Sequence, residues 1–199
     1  MTDELARYLP RFDLAGWHLL RRVLAYRRSL PHPSPRLVDL GMGRGRDAIY
    51  LARHGFRVLG VDRSPVLVER ARRRAARLGV PLELRTSDLR TVRWRGHVDV
   101  VYASCALNYH PRGIRARRFA AFQAATAAGG IHAVNAFGEG ALRAAGPEVD
   151  AEETAYRPGE LRRYYEGWSV LESGILRFEC RARAAPHRHA IEYLVARKP

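Results

Sequence analysis

Val38-Asp39-Leu40-Gly41-Met42-Gly43-Arg44-Gly45-Arg46-Asp47 is the stretch whose reading decides how this chain folds. The short apolar run Leu37 to Leu40 reads as a buried strand. Glycines at 41, 43 and 45 then let the backbone turn sharply and approach a ligand without a Cβ in the way. The loop delivers the chain into a helix from about Asp47 to His54, whose free N–H groups suit an anionic or polar ligand. The spacing is GxGxG and not the GxGxxG of dinucleotide sites. Asp39 stands two residues before the first glycine. A carboxylate there can hold a cationic ligand through its amine, which suits a methionine moiety better than a pyrophosphate.

The pattern extends in both directions. Upstream, Leu14, Trp17, Leu20, Val23 and Leu24 recur at helical spacing between Asp13 and Tyr26. The segment Leu30-Pro31-His32-Pro33-Ser34-Pro35 ends that helix, because proline removes donors and disfavours helix in the residue before it. Downstream, Gly55 is placed to close the second helix, and Phe56 to Val61 reads as a second strand. Ser64 caps a helix that begins with Pro65 and closes at Gly79. Leu82 to Arg85 and Val98 to Tyr102 read as the third and fourth strands, a helix is expected from about Ile114 to Ala127, and Gly129-Gly130 turns into a fifth strand, Ile131 to Phe137. This alternation predicts an α/β, Rossmann-like, doubly wound and mostly parallel sheet with helices on both faces. A short helix within Gly159 to Gly167 and strands over Ser169 to Cys180 and Ala190 to Ala196 follow. The last two are expected to pair antiparallel and complete seven strands. Residues 1–35 are expected to form an N-terminal helical arm or lid, and 36–199 the main domain.

Two further acids fall in register with Asp39. Asp62 ends the second strand, 17 residues after Gly45, where a carboxylate can accept hydrogen bonds from both ribose hydroxyls. Asp88 follows the third strand, where it can accept from an adenine amino group while Leu89 packs on the ring. An acid that ends one strand is often only a cap; three at the ends of successive strands form a ligand site. Arg46 and Arg63, beside the loop and Asp62, and Ser104, just past the fourth strand, complete the candidate cofactor set.

The stretch Leu37 to Asp62, LVDLGMGRGRDAIYLARHGFRVLGVD, resembles the class I S-adenosylmethionine-dependent methyltransferases. More narrowly it is similar to the bacterial tellurite-resistance methyltransferases. The tail from Tyr156 to Trp168 and the terminal Val195-Ala196-Arg197-Lys198-Pro199 carry that likeness too. The resemblance covers about Leu37 to Pro199 and is weakest between Tyr109 and Tyr156. It implies S-adenosyl-L-methionine as cofactor and methyl transfer to a small soft acceptor, with chalcogen oxyanions as the namesake substrates. Met42 stands where such loops often carry cysteine. The histidine-arginine pair of the family's last hairpin reads Cys180-Arg181 here.

The acceptor is expected at the carboxyl ends of the strands. There the fourth strand runs into Ala103-Ser104-Cys105-Ala106-Leu107-Asn108-Tyr109-His110-Pro111. This is not the Asn-Pro-Pro-Tyr tetrapeptide of amino-methylating nucleic-acid enzymes. His110 is a candidate general base, with a structural or solvated loop histidine as the alternative. Cys105 reads as a small packing residue or a site thiol. A soft anionic acceptor needs no base, only cations to hold it, and Arg181, Arg183, His187, Arg188 and His189 cluster near the last hairpin. Arg181 and Arg188 are the candidates for that role, against a solvated turn. Glu148 to Glu153 is an acidic stretch that reads equally as lid or exposed loop. Tyr8, Arg11, Phe12 and Trp17 are placed to close the pocket from the N-terminal side.

At 199 residues, with 47% hydrophobic and 28% charged residues, the composition fits one globular domain. No apolar run reaches the ~20 residues of a membrane span. The N-terminus, with Asp3 and Glu4, lacks the pattern of a signal peptide. The two cysteines, Cys105 and Cys180, form no CxxC pair, so neither a disulfide framework nor a zinc site is expected, and a cytoplasmic setting fits. The net charge of +15 invites a nucleic-acid reading. Of the 35 basic residues, however, only Lys198 is lysine, which points to a coding bias. Arg70, Arg72, Arg73, Arg74 and Arg77 decorate the solvent side of one helix. Nucleic acid is therefore not expected as a partner; a small-molecule acceptor is, with the chain a monomer or homodimer. The rival readings are an RNA or protein methyltransferase and a cofactor-binding protein without turnover.

Overall fold

The computed structural model describes residues 14–138, 155–180 and 187–199. Helix α1 spans Leu14–Tyr26 and runs into a 3₁₀ turn at Arg27–Ser29. Then β1 (Arg36–Leu40), α2 (Arg46–Arg53), β2 (Arg57–Asp62), α3 (Pro65–Arg77), β3 (Glu83–Thr86) and β4 (Val98–Ala103) alternate. A second 3₁₀ turn, Leu107–Tyr109, precedes α4 (Arg112–Ala124) and β5 (Thr126–Phe137). The short α5 (Glu160–Arg163), β6 (Ser169–Cys180) and β7 (His187–Arg197) complete the order. The seven strands form one sheet in the order β3-β2-β1-β4-β5-β7-β6.

Strands β1 to β5 pair parallel, and β7 lies antiparallel between β5 and β6. The expected mostly parallel sheet with an antiparallel end is thus the observed one. Because β1, β2 and β4 are covered on both faces, their residues are buried almost without alternation, which is why they read as continuous apolar runs. Several boundaries differ from the sequence expectation, among them the end of α4 at Ala124 and the start of β7 at His187. Helix α4 begins at Arg112, directly after Pro111, two residues before the expected Ile114. Strand β5 starts at Thr126, not Ile131, because Thr126 already pairs with Val98 before a register shift absorbs residues 127–130.

One face of the sheet carries α1 and α2, with Leu19, Leu20 and Val23 fully buried against Leu37, Val100, Tyr102 and Ile131. Burying such side chains contributes roughly 1.5–3 kcal/mol each. Within the described residues, the segment expected as an arm therefore supplies core to the same globular unit. The other face is built on Phe119, Phe122, Tyr156, Leu161 and Tyr165. Beside it His132 is fully buried, with Nε2 2.8 Å from Thr126 Oγ1 and Nδ1 2.9 Å from the Tyr165 hydroxyl. Thr126 Oγ1 donates to the Phe122 carbonyl (2.8 Å), so the imidazole donates from Nε2 and accepts at Nδ1, a neutral ring with both nitrogens satisfied. Burial, assisted by the charge of Lys198, pushes this histidine down to about 3.

Candidate active site

The glycine loop is held by three contacts that its sequence makes available. The N–H groups of Gly41 and Met42 donate to the Val61 carbonyl at 2.8 and 3.0 Å. The N–H of Gly43 donates to Asp62 Oδ2 at 2.9 Å, joining the loop to the end of β2. All three glycines have positive φ, but their surroundings differ. A Cβ on Gly41 would fall on the Ala106 methyl, and one on Gly45 would lie 2.8 Å from the Ala71 methyl. A Cβ on Gly43 would meet nothing within 4 Å. Gly41 and Gly45 are therefore required by packing as well as by φ, and only Gly43 faces open space. Met42, 7% exposed, turns into the core against Gly60.

Beneath the loop, Asp39 is buried at the end of β1, and among the described residues its Oδ2 has no hydrogen-bond partner. Burial pushes its carboxyl well above the usual range, and Asp47 nearby adds to this while Arg46 opposes it. An unpaired buried acceptor of this kind is costly unless something donates to it. Asp47, on the first turn of α2, accepts from Arg46 Nε at 2.7 Å and from the Tyr102 hydroxyl at 2.8 Å. Tyr102 shares that proton with the Gly16 carbonyl at 3.3 Å. The amide of Asn135 donates to Ala15 O at 3.3 Å and accepts from Cys105 N at 2.6 Å. Two buried polar side chains from β4 and β5 thus grip the first turn of α1. Cys105 itself takes the left-handed conformation, φ 54°, just past β4.

A cleft of about 510 Å³ opens beside the loop, lined by Gly41, Asp62, Arg63, Asp88, Leu89, Ala106, Tyr109 and His110 among others. Asp62 is held by Gly43 N on one oxygen and by Ser64 N (2.9 Å) on the other. Each oxygen keeps a lone pair for a further donor. Asp88 accepts from Arg90 N at 2.8 Å and from its guanidinium at 2.6 and 2.9 Å, contacts that hold its carboxyl below the usual range. The guanidinium of Arg63 lies 5.4 Å from the Tyr109 ring centroid at the cleft mouth. His110 is fully buried on the Leu89 side of the cleft, and neither ring nitrogen makes a well-formed hydrogen bond. Burial pushes it down to about 4; the Leu89 backbone acts against that, and Arg118 and Arg115 reinforce it.

The structure brings seven of the sequence-predicted residues into this one cleft: Gly41, Asp62, Arg63, Asp88, Leu89, His110 and Cys105. Asp39, Gly43, Gly45 and Arg46 belong to the loop and its floor, and Ser104 stands half-buried where β4 ends. Arg181 lies outside the described residues, as do Arg183, Glu148 to Glu153, Tyr8, Arg11 and Phe12. Arg188 is placed by its backbone only, opposite Glu179 in the β6–β7 ladder. Trp17, on α1, meets Tyr50 edge-on at 6.1 Å. The sequence reading missed Tyr102, Asn135 and Arg115. Arg115 is fully buried, donates to His110 O (3.0 Å), Ala155 O (3.2 Å) and Glu160 Oε1 (2.8 Å), and lies 3.9 Å over the Tyr156 ring. It braces the cleft wall against the Tyr156 segment. The signal available was an arginine four residues before Phe119 and seven before Phe122, on the helix face that carries both of these core residues.

Residues 37–130 match the family model described as a methyltransferase domain. Hemagglutinin 1 of Eikenella corrodens is 26% identical over 178 residues, covering 82% of this chain and 55% of its own length. The uncharacterized methyltransferase YodH of Bacillus subtilis is 30% identical over 91 residues, 43% of this chain and 39% of its own. The chain spans about half the length, or less, of these curated relatives. Among solved structures, TehB from Haemophilus influenzae superposes with a TM-score of 0.82 at 16% identity, over 99% of this chain and 66% of that one. Magnesium protoporphyrin IX methyltransferase from Synechocystis, with S-adenosylmethionine bound, gives 0.66 at 18% identity, over 99% and 90%. Residues 37–130 thus match a methyltransferase domain, and the fold of the chain is that of solved S-adenosylmethionine-dependent methyltransferases. In fold the chain resembles TehB.

The residues fit that cofactor. The unpaired Asp39 oxygen suits an ammonium, Gly43 leaves room beside the loop, and Asp62 and Asp88 supply acceptors in the adjoining cleft.

Proposed function

We propose that this chain transfers a methyl group from S-adenosylmethionine to a small-molecule acceptor, a chalcogen oxyanion such as tellurite or selenite, or a thiol-like nucleophile. The observation that carries the reading is the unpaired buried carboxylate oxygen of Asp39, next to a cleft with acids at two successive strand ends. The fold-level likeness to TehB supports the choice of acceptor.

When bound, the cofactor supplies an electrophilic methyl on a sulfonium. The chain's own residues do the holding. Asp39 fixes the ammonium, Asp62 the ribose hydroxyls and Asp88 the adenine amino group, with Leu89 against the ring. Displacement at carbon needs alignment above all, and positioning two reactants can supply roughly 7–11 kcal/mol of the barrier. Arg181 and Arg188 hold the anionic acceptor, which needs no proton removed. His110, buried in the cleft wall, is uncharged at neutral pH, the form in which it could take the proton of a thiol acceptor.

The test is calorimetry of cofactor binding followed by a homocysteine-release assay with selenite, tellurite, thiols, thiopurines and bulk RNA. Turnover on chalcogen or thiol acceptors supports the proposal, and turnover on RNA alone overturns it. Silence on every acceptor despite cofactor binding overturns these acceptors and points to another metabolite or a non-catalytic role. Asp62→Ala is expected to abolish cofactor binding in a folded protein.

A further inference from the structure

A second cavity, of about 710 Å³, opens at the opposite end of the sheet, where β1, β2, β4 and β5 begin. Its walls include Arg36, Arg57, Lys198, His32, His97 and Asp99. Asp99 is 2% exposed, and both its oxygens are occupied, Oδ1 by His32 Nδ1 at 2.6 Å and Oδ2 by the backbone N–H of Arg36 at 2.7 Å. It is the one carboxylate lining the cavity among the described residues.

Two cations of the cavity, Arg36 and Lys198, are oriented by carbonyls without being neutralised. The Arg36 guanidinium donates to the carbonyls of His97 (3.0 Å) and Arg95 (3.3 Å). The Lys198 ammonium donates to the carbonyls of Gln123 (2.9 Å) and Thr126 (2.7 Å). Carbonyls fix the direction of a cation and leave its charge in place, and an ammonium has a third N–H to offer. Arg57, next to Arg36 in the β1–β2 ladder, makes no ion pair among the described residues and reaches the same cavity. Pre-oriented charge in a concave, partly desolvated wall acts more strongly than the same charge on an open surface.

We propose that this cavity is a binding site for a small multivalent oxyanion, a phosphate or the phosphate group of a small metabolite, held by Arg36, Arg57 and Lys198. The Asp99–His32 pair closes one side and keeps the single carboxylate from competing for these cations. A concave site with one cluster of charge selects a compact dianion over a long polyanion, which needs an extended track of cations. The proposal is independent of the methyl-transfer reading, since the cavity and the cofactor cleft share no lining residue.

The experiment is calorimetric titration with inorganic phosphate and pyrophosphate at constant ionic strength, on the wild type, Arg57→Gln and Lys198→Gln. Saturable pyrophosphate binding is expected, roughly tenfold weaker in each variant, which corresponds to one charge-assisted hydrogen bond. Arg57→Lys should keep most of the affinity, and thermal denaturation without anion checks that each variant folds. Equal binding in the wild type and both variants overturns the proposal. So does a response that chloride reproduces at matched ionic strength, or binding to RNA with none to pyrophosphate. Phosphate and a phosphate monoester as competitors distinguish the free ion from a metabolite's phosphate group.

Discussion

Acidification between pH 7 and pH 5 is expected to weaken this protein through two buried imidazoles. His132 donates to Thr126 and accepts from Tyr165, and its ring is held at about 3. His110 is held at about 4 in the cleft wall. In the unfolded chain both return to about 6.5. Below that value the unfolded state takes up protons that the folded state refuses, so stability falls with pH, by about 1.4 kcal/mol per unit for each histidine. From pH 7 to pH 5 this comes to about 2 kcal/mol apiece and about 4 together, a large share of a typical ~5–15 kcal/mol. Asp39 and Glu192, whose carboxyls burial pushes upward, act in the opposite sense, so total slopes do not isolate the effect. The comparison that does is urea unfolding at pH 7, 6 and 5 of the wild type against His132→Gln. The variant should lose about 2 kcal/mol less over the interval than the wild type, whatever its stability at pH 7. Parallel pH curves for the two proteins would refute the neutral, buried imidazole.

Asp39 should make cofactor affinity depend on pH, because a carboxyl raised by burial must give up its proton before it can pair an ammonium. Affinity should therefore drop toward acid in the wild type by calorimetry, and be weaker but flat in Asp39→Asn. Gly41→Ala, which places a methyl on Ala106, should disrupt cofactor binding, whereas Gly43→Ala should cost about 1 kcal/mol of stability and act on binding only through the open space beside the loop. Arg115→Met removes the ion-pair partner of Glu160, which keeps the Arg157 N–H and the Tyr164 hydroxyl, and should destabilise by about 3 kcal/mol in chemical denaturation. Adding Glu160→Gln should restore part of that loss, and additive effects of the two changes would remove the ion pair from the account.

The sheet was legible because buried parallel strands announce themselves as unbroken apolar runs, and because Gly55 and Gly79 mark helix ends with positive φ. The acids at strand ends were legible for the same reason, since a carboxylate after such a run has no place in the core. What stayed hidden depends on contacts remote in sequence. Nothing local distinguishes Tyr102 from a plain core aromatic; its meaning comes from Asp47 and Gly16, on two helices remote from it in sequence. Asn135 reads as an interruption of β5 until Ala15 and Cys105 are seen on either side of it. Arg115 stands four and seven residues before Phe119 and Phe122, on the buried face of α4, but helical periodicity cannot reveal that the Tyr156 segment folds over it. The early start of β5 was missed because Gly129-Gly130 signals a turn, while in the sheet the same residues follow a strand pairing already begun at Thr126.

The position of β7 between β5 and β6 sets the order in which the molecule can be assembled during synthesis. Strand β5 pairs with β7 from Ile131↔Arg197 to Phe137↔Ile191, and β7 is translated after every other strand. Until it emerges, the parallel half of the sheet displays an open edge at β5, and β6 has no neighbour to dock on. A nascent chain in that condition is vulnerable to pairing with another copy of itself. Arrest or truncation before His187 should thus harm yield far more than the few residues lost would suggest.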